Sequence, residues 1–206
     1  MRAWAVVVVT LAWVDLAHAG PDCVDEAREL RAHLTREARR ADAWNTLWAL
    51  GFGAATVGQI AVAQAEVNLL GGPFDAAYRE QMYVGSIKAG LGMGARLVFP
   101  LRFGVPAPVA DACDDARVLR AALIVASDKE RKSVWLTIIG GTVANLAGSI
   151  WLWARHDFTT AITSFAIGVP IGPIGALTQP KASWRLHHQR TRVQWTAGLG
   201  WVGGVF

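Results

Sequence analysis

Polar and apolar residues follow one another in long blocks along this chain. A charged block from Asp25 to Asp42 precedes an uncharged run over 43–65, and a second charged block over 114–132 precedes an uncharged run over 133–153. A helix needs about 20 mostly apolar residues to cross a bilayer. We therefore predict a membrane-spanning helix in each of the two uncharged runs.

Two further runs predict helices that return across the membrane. The first, 81–101, contains Lys88 and Arg96, and the second, 158–180, is uncharged but contains Pro170 and Pro173. Proline kinks or shortens a helix. The fold class expected is an all-α membrane protein with four transmembrane helices. Alternation of apolar with small or polar residues over 193–201 also predicts a short C-terminal β segment.

The two charged blocks are similar to each other. Seven of the ten residues from Asp25 to Leu34 are identical to those 89 positions later. Apolar residues in the first block recur at helical spacing, at Ala27, Leu30, Leu34, Ala38 and Ala41. We predict a unit of one polar helix and one helical hairpin, used twice, as repeat 1 (23–105) and repeat 2 (113–182) with a tail (183–206). Two unrelated amphipathic helices are the alternative.

Two spans in each unit fix the relative orientation of the copies. An even number of crossings means that both copies enter the membrane from the same side, so the repeats are expected to be parallel. Cys23 and Cys113 open the two polar helices and therefore lie on that side together.

The first 19 residues have the pattern of a secretory signal peptide. Arg2 is followed by an apolar core, and Ala17, His18 and Ala19 form a small-x-small cleavage site. We expect cleavage after Ala19 and a single membrane domain over 20–206. An uncleaved anchor helix is the alternative.

Both cysteines follow this signal. Export leads to an oxidising compartment, where a disulfide persists. We therefore predict a Cys23–Cys113 disulfide that ties the two repeats together, with two free thiols as the alternative.

Composition supports a membrane protein and excludes a nucleic-acid partner. Charged residues make up 17% of the chain, mean hydropathy is +0.30, and there are ten Trp against two Tyr. Trp is enriched at membrane–water boundaries. The net charge of +4 is interleaved with acids rather than clustered on one face, as nucleic-acid binding would require.

The distribution of basic residues conflicts with the simplest topology. With the signal cleaved and four spans crossing, the outer side would hold most of the Lys and Arg, and the inward connectors only Arg79 and Arg155. This reverses the positive-inside tendency. Three interpretations remain: the signal is not cleaved, the protein lies in an outer membrane, or not every run crosses. An inner membrane of the bacterial envelope is the expected location, and the outer membrane is the alternative.

Polar side chains within the predicted spans are the candidate site. Lys88 and Arg96 lie two helical turns apart, and no acid lies within any span to pair with them. Such cations point to a functional site, here for an anion or lipid head group, unless both side chains reach toward opposite interfaces. Gln59 and Asn145 are expected to form hydrogen bonds between helices.

Nothing in the sequence predicts catalysis. No spacing of His, Cys, Asp or Glu suits a metal, and no nucleophile–base arrangement can be identified, so we expect no cofactor and no metal. An envelope enzyme of unknown chemistry stays open as the least favoured interpretation. The GLGMGAR stretch at 90–96 lies in an apolar run, which favours close helix packing over phosphate binding. The same packing role is expected for Gly51, Ala55, Gly141, Ala144 and Gly148.

The chain resembles a loose group of uncharacterised bacterial envelope membrane proteins that carry signal peptides. The resemblance lies in GAATVGQ, ANLAGSIWLW, TQP at 178–180 and a glycine-rich tail that ends in Phe206. It implies an envelope address and no activity. The function expected is a structural or interaction component, with a small channel or transporter at the repeat interface as the alternative. The expected partners are membrane lipid and either a homo-oligomer or another envelope protein.

Overall fold

The computed structural model describes residues 22–69, 71, 74–191, 194–198 and 201–205, with side chains as far as residue 191. The predicted signal peptide, 1–19, lies outside the described residues. Every described element up to Arg190 is an α-helix.

Two long helices form the frame of the molecule. Helix α1 (Asp22–Ala65) and helix α3 (Ala112–Arg155) each contain 44 residues, which corresponds to about 66 Å. Each combines a charged block and an uncharged run that were predicted as separate helices. Neither Gly nor Pro lies at either boundary, so nothing in the chain ends the helix there.

Helix α2 (Ala76–Val98) returns along the uncharged half of α1. Asp75 caps its first turn by accepting a hydrogen bond from the Tyr78 N–H at 2.8 Å. The Gln64 side-chain amide donates to the Tyr83 hydroxyl at 2.8 Å and links the two helices. The helix ends before Pro100, three residues earlier than the predicted run.

The chain then continues as an irregular segment, 99–111, that leads to the second cysteine. Asn45 of α1 holds its start: the amide donates to the Leu101 carbonyl at 2.9 Å, and the side-chain oxygen accepts from the Leu101 N–H at 3.1 Å. Leu101 and Phe103 are buried. The start of this segment is therefore packed into the core, whereas residues 107–111 are exposed.

The second return is broken where its prolines predict. Helix α4 (Phe158–Gly168) ends before Pro170, and helix α5 (Ile171–Thr178) follows, with Pro173 in its first turn. Helix α6 (Ala182–Arg190) occupies the start of the predicted tail, so the tail begins as a helix. Strands β1 (Gln194–Gly198) and β2 (Trp201–Val205) pair antiparallel, with Gln194 opposite Val205.

The molecule has two layers of opposite character. The polar layer comprises 22–42, 99–132 and 179–191, and the apolar layer comprises 43–65, 76–98, 133–155 and 158–178. The main hydrophobic core lies in the polar layer and includes Leu30, Leu34, Leu119 and Leu123. The apolar layer instead exposes large apolar side chains around its outside, including Leu50, Val57, Leu91, Leu136, Val143 and Ile167.

Exposed apolar side chains of this kind suit a lipid environment, where burial from water is supplied by the bilayer. Three helical stretches are long and apolar enough to cross a membrane: Asp22–Ala65, Ala112–Arg155 and Phe158–Thr178. Helix α2, which carries Lys88 and Arg96, does not meet that standard among the described residues.

Small residues bring the spans together at some of the predicted positions. A Cβ on Gly141 of α3 would lie 3.3 Å from the Gly172 Cα of α5, and one on Gly148 would lie 2.9 Å from Val84 of α2. Gly51 has nothing within 4 Å of such a Cβ, so the packing prediction is wrong there.

Candidate functional site: intramembrane cations, buried acids and an interfacial cleft

The two cysteines lie at bonding distance, as the sequence predicts. Cys23 and Cys113 form a disulfide with their Cα atoms 5.0 Å apart. It joins the first turns of α1 and α3, so these two helices start at the same end of the molecule and run in the same direction.

Two ion pairs beside the disulfide connect α1 and α3 in a reciprocal way. Arg31 of α1 donates to Asp115 of α3 at 2.7 Å, and Arg120 of α3 pairs with Glu26 of α1, with Nε 2.8 Å from Oε1. Arg120 and Asp115 follow Arg31 and Glu26 by 89 positions, the offset of the sequence similarity. Each helix therefore contributes the same donor position and the same acceptor position.

Arginine lowers the pKa of both acids. The hydrogen bond from Arg31 is the main cause at Asp115, followed by the N–H of Val109, and the bond from Arg120 is the main cause at Glu26. Arg31 also donates to the Pro106 carbonyl, so it ties the 99–111 segment to both helices.

Lys88 lies in the middle of α2 and points toward α3 and α4. Its ammonium donates to the Ser164 hydroxyl of α4 at 3.0 Å, and its side chain packs against Gly148 of α3. Within the described residues no carboxylate forms an ion pair with it. The ammonium group of Lys88 therefore lies between α2, α3 and α4, with a hydroxyl as its hydrogen-bond partner.

Arg96 lies near the end of α2 and points toward the boundary with the polar layer. It donates to the Thr137 hydroxyl at 3.0 Å, and its guanidinium carbon lies 4.2 Å from the Trp44 ring centroid. A guanidinium on an indole face is a favourable cation–π contact.

Gln59 and Asn145 occupy separate helix interfaces. Asn145 donates from α3 to the Gly168 carbonyl of α4 at 3.0 Å and is buried. Gln59 of α1 lies against Gly85 of α2, and its buried Oε1 has no hydrogen-bond partner in the described part of the chain. A Cβ at position 85 would lie 2.1 Å from that oxygen, so a larger residue there would require the Gln59 side chain to shift.

The four polar residues predicted as an intramembrane site bond to separate partners. No hydrogen bond among the described residues joins any two of Lys88, Arg96, Gln59 and Asn145. Lys88 and Asn145 both contact α4, whereas Arg96 bonds to Thr137 of α3 and Gln59 packs against α2. Period and depth place a residue along a helix but do not identify the neighbour it faces, so the sequence could not specify these partners.

Two acids that were not among the predicted site residues are buried in the polar layer. Glu37 of α1 and Glu130 of α3 have exposures of 1% and 0%. Glu130 Oε2 accepts from the Trp184 N–H at 2.8 Å, which places a carboxylate at the N-terminus of α6. Burial raises the pKa of Glu130, the Trp184 and Ser183 N–H groups lower it, and the nearby Glu37 raises it further.

Glu37 is paired on one side only. Its Oε1 accepts from Arg40 at 2.8 Å, and its buried Oε2 has no hydrogen-bond partner among the described residues. His33, one turn earlier, lies 3.5 Å from the Ser183 hydroxyl of α6, and burial lowers the pKa of its imidazole.

A signal for both acids was present in the sequence. Leu30, Leu34, Glu37 and Ala41 follow one another at spacings of four, three and four, and so do Leu119, Leu123, Ala126 and Glu130. Each acid thus falls on the apolar period of its helix. Glu37 takes the buried position beside the predicted Ala38, which is only partly buried.

An open cleft lies where the polar layer meets the apolar layer, and we call it the interfacial cleft. Its volume is about 530 Å³. Trp44, Trp48 and Leu47 of α1 line its apolar side, and Lys181 and Arg185 line its polar side. The Trp44 and Trp48 indoles both donate to the Thr178 hydroxyl at 3.2 Å, which fixes that wall.

The described residues offer no ready catalytic or metal centre. In this part of the chain no group of three or more His, Cys, Asp or Glu is arranged to hold a metal ion. No protein-family model, curated protein or solved structure matches the chain.

Proposed function

We propose that this chain is an integral membrane protein of the bacterial cell envelope that acts as a structural or interaction component rather than as an enzyme. It would hold two parallel helical hairpins side by side in the membrane, with the polar layer outside. Its partners would be membrane lipid and either a second copy or another envelope protein.

A fourth span is part of the proposal. Helix α2 has 23 residues, about 34 Å, which is enough to cross the hydrocarbon core. It lies along the uncharged half of α1 and exposes Ile87, Leu91 and Leu97 on its outer side. Its two cations point inward to Ser164 and Thr137, so they do not prevent a lipid-facing surface.

Duplication is the second part of the proposal. It is supported by the equal lengths of α1 and α3, by their common direction and by the reciprocal Arg31–Asp115 and Arg120–Glu26 pairs. Reciprocal contacts are what a twofold relation between two copies produces. The axis would run along the membrane normal.

The structural role rests on one observation above all: the polar groups of Lys88, Arg96 and Asn145 bond to neighbouring helices. Bonds of this kind hold a bundle together in lipid. A solute path would leave some of these groups free to face water or a substrate.

Transport of a small anion is the second candidate function. It is favoured by Lys88, which no acid neutralises within the described residues, and by Ser149, whose buried hydroxyl has no partner there. Ser149 follows Gly148, against which Lys88 packs.

Chloride flux into proteoliposomes separates the two candidates. We expect the wild-type chain and Lys88→Met to match empty liposomes, and Lys129→Met serves as a control for lost charge in the polar layer. Wild-type flux that Lys88→Met abolishes would establish transport and remove the purely structural role.

Location and sidedness are tested by membrane fractionation and thiol labelling. In intact cells, an impermeant maleimide should label Cys23 and Cys113 only after an impermeant reductant has opened the disulfide. An Asp157→Cys probe at the opposite end, in a chain with both native cysteines changed to Ser, should react only after lysis. Recovery in the soluble fraction, or the reverse labelling, would defeat the proposal.

A further inference from the structure

We propose that the interfacial cleft binds the phosphate of an anionic glycerophospholipid, an inference that rests on the proposed membrane location. The cleft lies at the depth of lipid head groups because it straddles the boundary between the two layers. Arg40 and Glu37 come from the charged half of α1, and Trp44, Leu47 and Trp48 come from the uncharged half. Its volume is in the range of small-molecule sites.

The polar side of the cleft carries two cations without an acidic partner. Lys181 and Arg185 lie one turn apart, as the backbone bond of 3.0 Å from the Arg185 N–H to the Lys181 carbonyl shows. Within the described residues neither side chain forms an ion pair. Arg40, the third cation of the cleft, is held by Glu37. Two free cations at one edge are complementary to a phosphate.

The apolar side of the cleft suits the glycerol backbone and the first acyl carbons. Leu47, which lines the cleft, is 70% exposed. Leu177 of α5, which directly precedes the lining residue Thr178, is 76% exposed. Trp44 and Trp48 are tethered to Thr178, so this wall is already in place before any ligand binds. Tryptophan is enriched at this depth of a bilayer.

A free phosphate would use only half of these features. It would contact Lys181 and Arg185 but leave the exposed Leu47 wall without a partner. A lipid places its phosphate on the two cations and its chains on the leucine side at the same time. The arrangement therefore favours the lipid over the soluble anion.

Lipid retention measured by native mass spectrometry tests the site. The intact chain in detergent would be mixed with dioleoyl phosphatidylglycerol or, separately, with dioleoyl phosphatidylcholine. Each basic side chain near an anionic lipid contributes roughly fivefold to binding, so Lys181→Gln/Arg185→Gln should weaken phosphatidylglycerol binding about thirtyfold. Lys181→Arg/Arg185→Lys should preserve it.

The matched control is Arg36→Gln/Arg39→Gln, which removes two exposed charges from the same layer but outside the cleft. Disulfide formation on a non-reducing gel reports folding. If the double variant misfolds, the two single variants should each lose about fivefold.

Three results would overturn the inference. They are equal phosphatidylglycerol retention by the cleft variant and the wild type, equal wild-type retention of phosphatidylcholine, and displacement of the lipid by inorganic phosphate at an equal concentration. Failure of the proposed membrane location is seen separately, as soluble protein in the fractionation.

Discussion

Arg31 of α1 reaches Asp115 of α3 at 2.7 Å, and the equivalent arginine of α3 makes the same contact in return with Glu26. The two pairs differ in their surroundings. The side chains of Arg31 and Asp115 are 26% and 10% exposed, whereas Arg120 is 57% exposed. A reciprocal arrangement thus contains one sheltered pair and one that solvent screens.

This difference predicts unequal costs of truncation. Arg31→Ala should lower the free energy of unfolding by about 1–3 kcal/mol, because it leaves the sheltered Asp115 carboxylate with the Val109 N–H but without its charged donor. Arg120→Ala should cost less than about 1 kcal/mol. Denaturant titration in detergent measures both, and Arg28→Ala, whose pair with Asp25 is fully on the surface, is the control. Equal costs for Arg31 and Arg120 would contradict the assignment.

Glu130 predicts an unusual pH dependence. Its pKa is raised in the fold, so the folded chain binds more protons than the unfolded chain between the ordinary value of 4.5 and the raised one. Its contribution to stability is therefore fully present below about 4.5 and is lost as pH rises through the folded pKa. Glu130→Gln, which stays neutral, should be more stable than the wild type at pH 8.

That advantage should shrink as the pH is lowered toward 5, in thermal unfolding followed by intrinsic fluorescence. Glu37 and His33 of α1 are the other titratable groups near this contact, and they are unchanged in both chains. Glu130→Ala removes the acceptor of the Trp184 N–H and should cost about 1–3 kcal/mol at any pH. A constant difference between Gln and wild type across pH would refute the charge argument.

The disulfide should stabilise the polar layer. Changing both cysteines to serine removes a link between positions 90 residues apart and should lower the free energy of unfolding by about 2–4 kcal/mol. Reduction of the wild type should have the same effect. No change in either measurement would mean that the ion pairs and Leu30, Leu34, Leu119 and Leu123 alone fix the layer.

Gly168 should tolerate no side chain. A Cβ there would lie 1.8 Å from the Asn145 side-chain oxygen, so Gly168→Ala must displace Asn145 and break its bond to α4. We expect a cost of about 1–3 kcal/mol. Gly140, with open space at its Cβ position, is the control: Gly140→Ala should be neutral or stabilise the helix by up to about 1 kcal/mol. Similar effects at both sites would contradict this packing.

Much of the architecture could be predicted because it depends on local pattern. The apolar period of Leu30 and Leu34 identified a buried helix face, and the matching positions of Cys23 and Cys113 predicted the bond between them. Prolines 170 and 173 predicted the break between α4 and α5.

The buried acids and the partners of the two cations could not be predicted, because they depend on contacts between helices that are far apart in the sequence. Glu37 and Glu130 were missed because acidic residues are usually exposed, even when they fall on the apolar face of a helix. Burial of Glu37 depends on its pair with Arg40, and burial of Glu130 depends on the N-terminus of α6. The partners of Lys88 and Arg96 lie on other helices, at positions that no spacing along α2 specifies.

The continuity of α1 and α3 across the boundary between the layers has a mechanical consequence. Each is a rod of about 66 Å, and a tilt of about 10° displaces one end relative to the other by roughly 11 Å. Cys23 and Cys113 fasten both rods at one tip, so the two must swing as a pair. In a thinner or thicker bilayer, the tilt of the uncharged halves of α1 and α3 would change. Their charged halves, joined by the disulfide, would then be displaced laterally together.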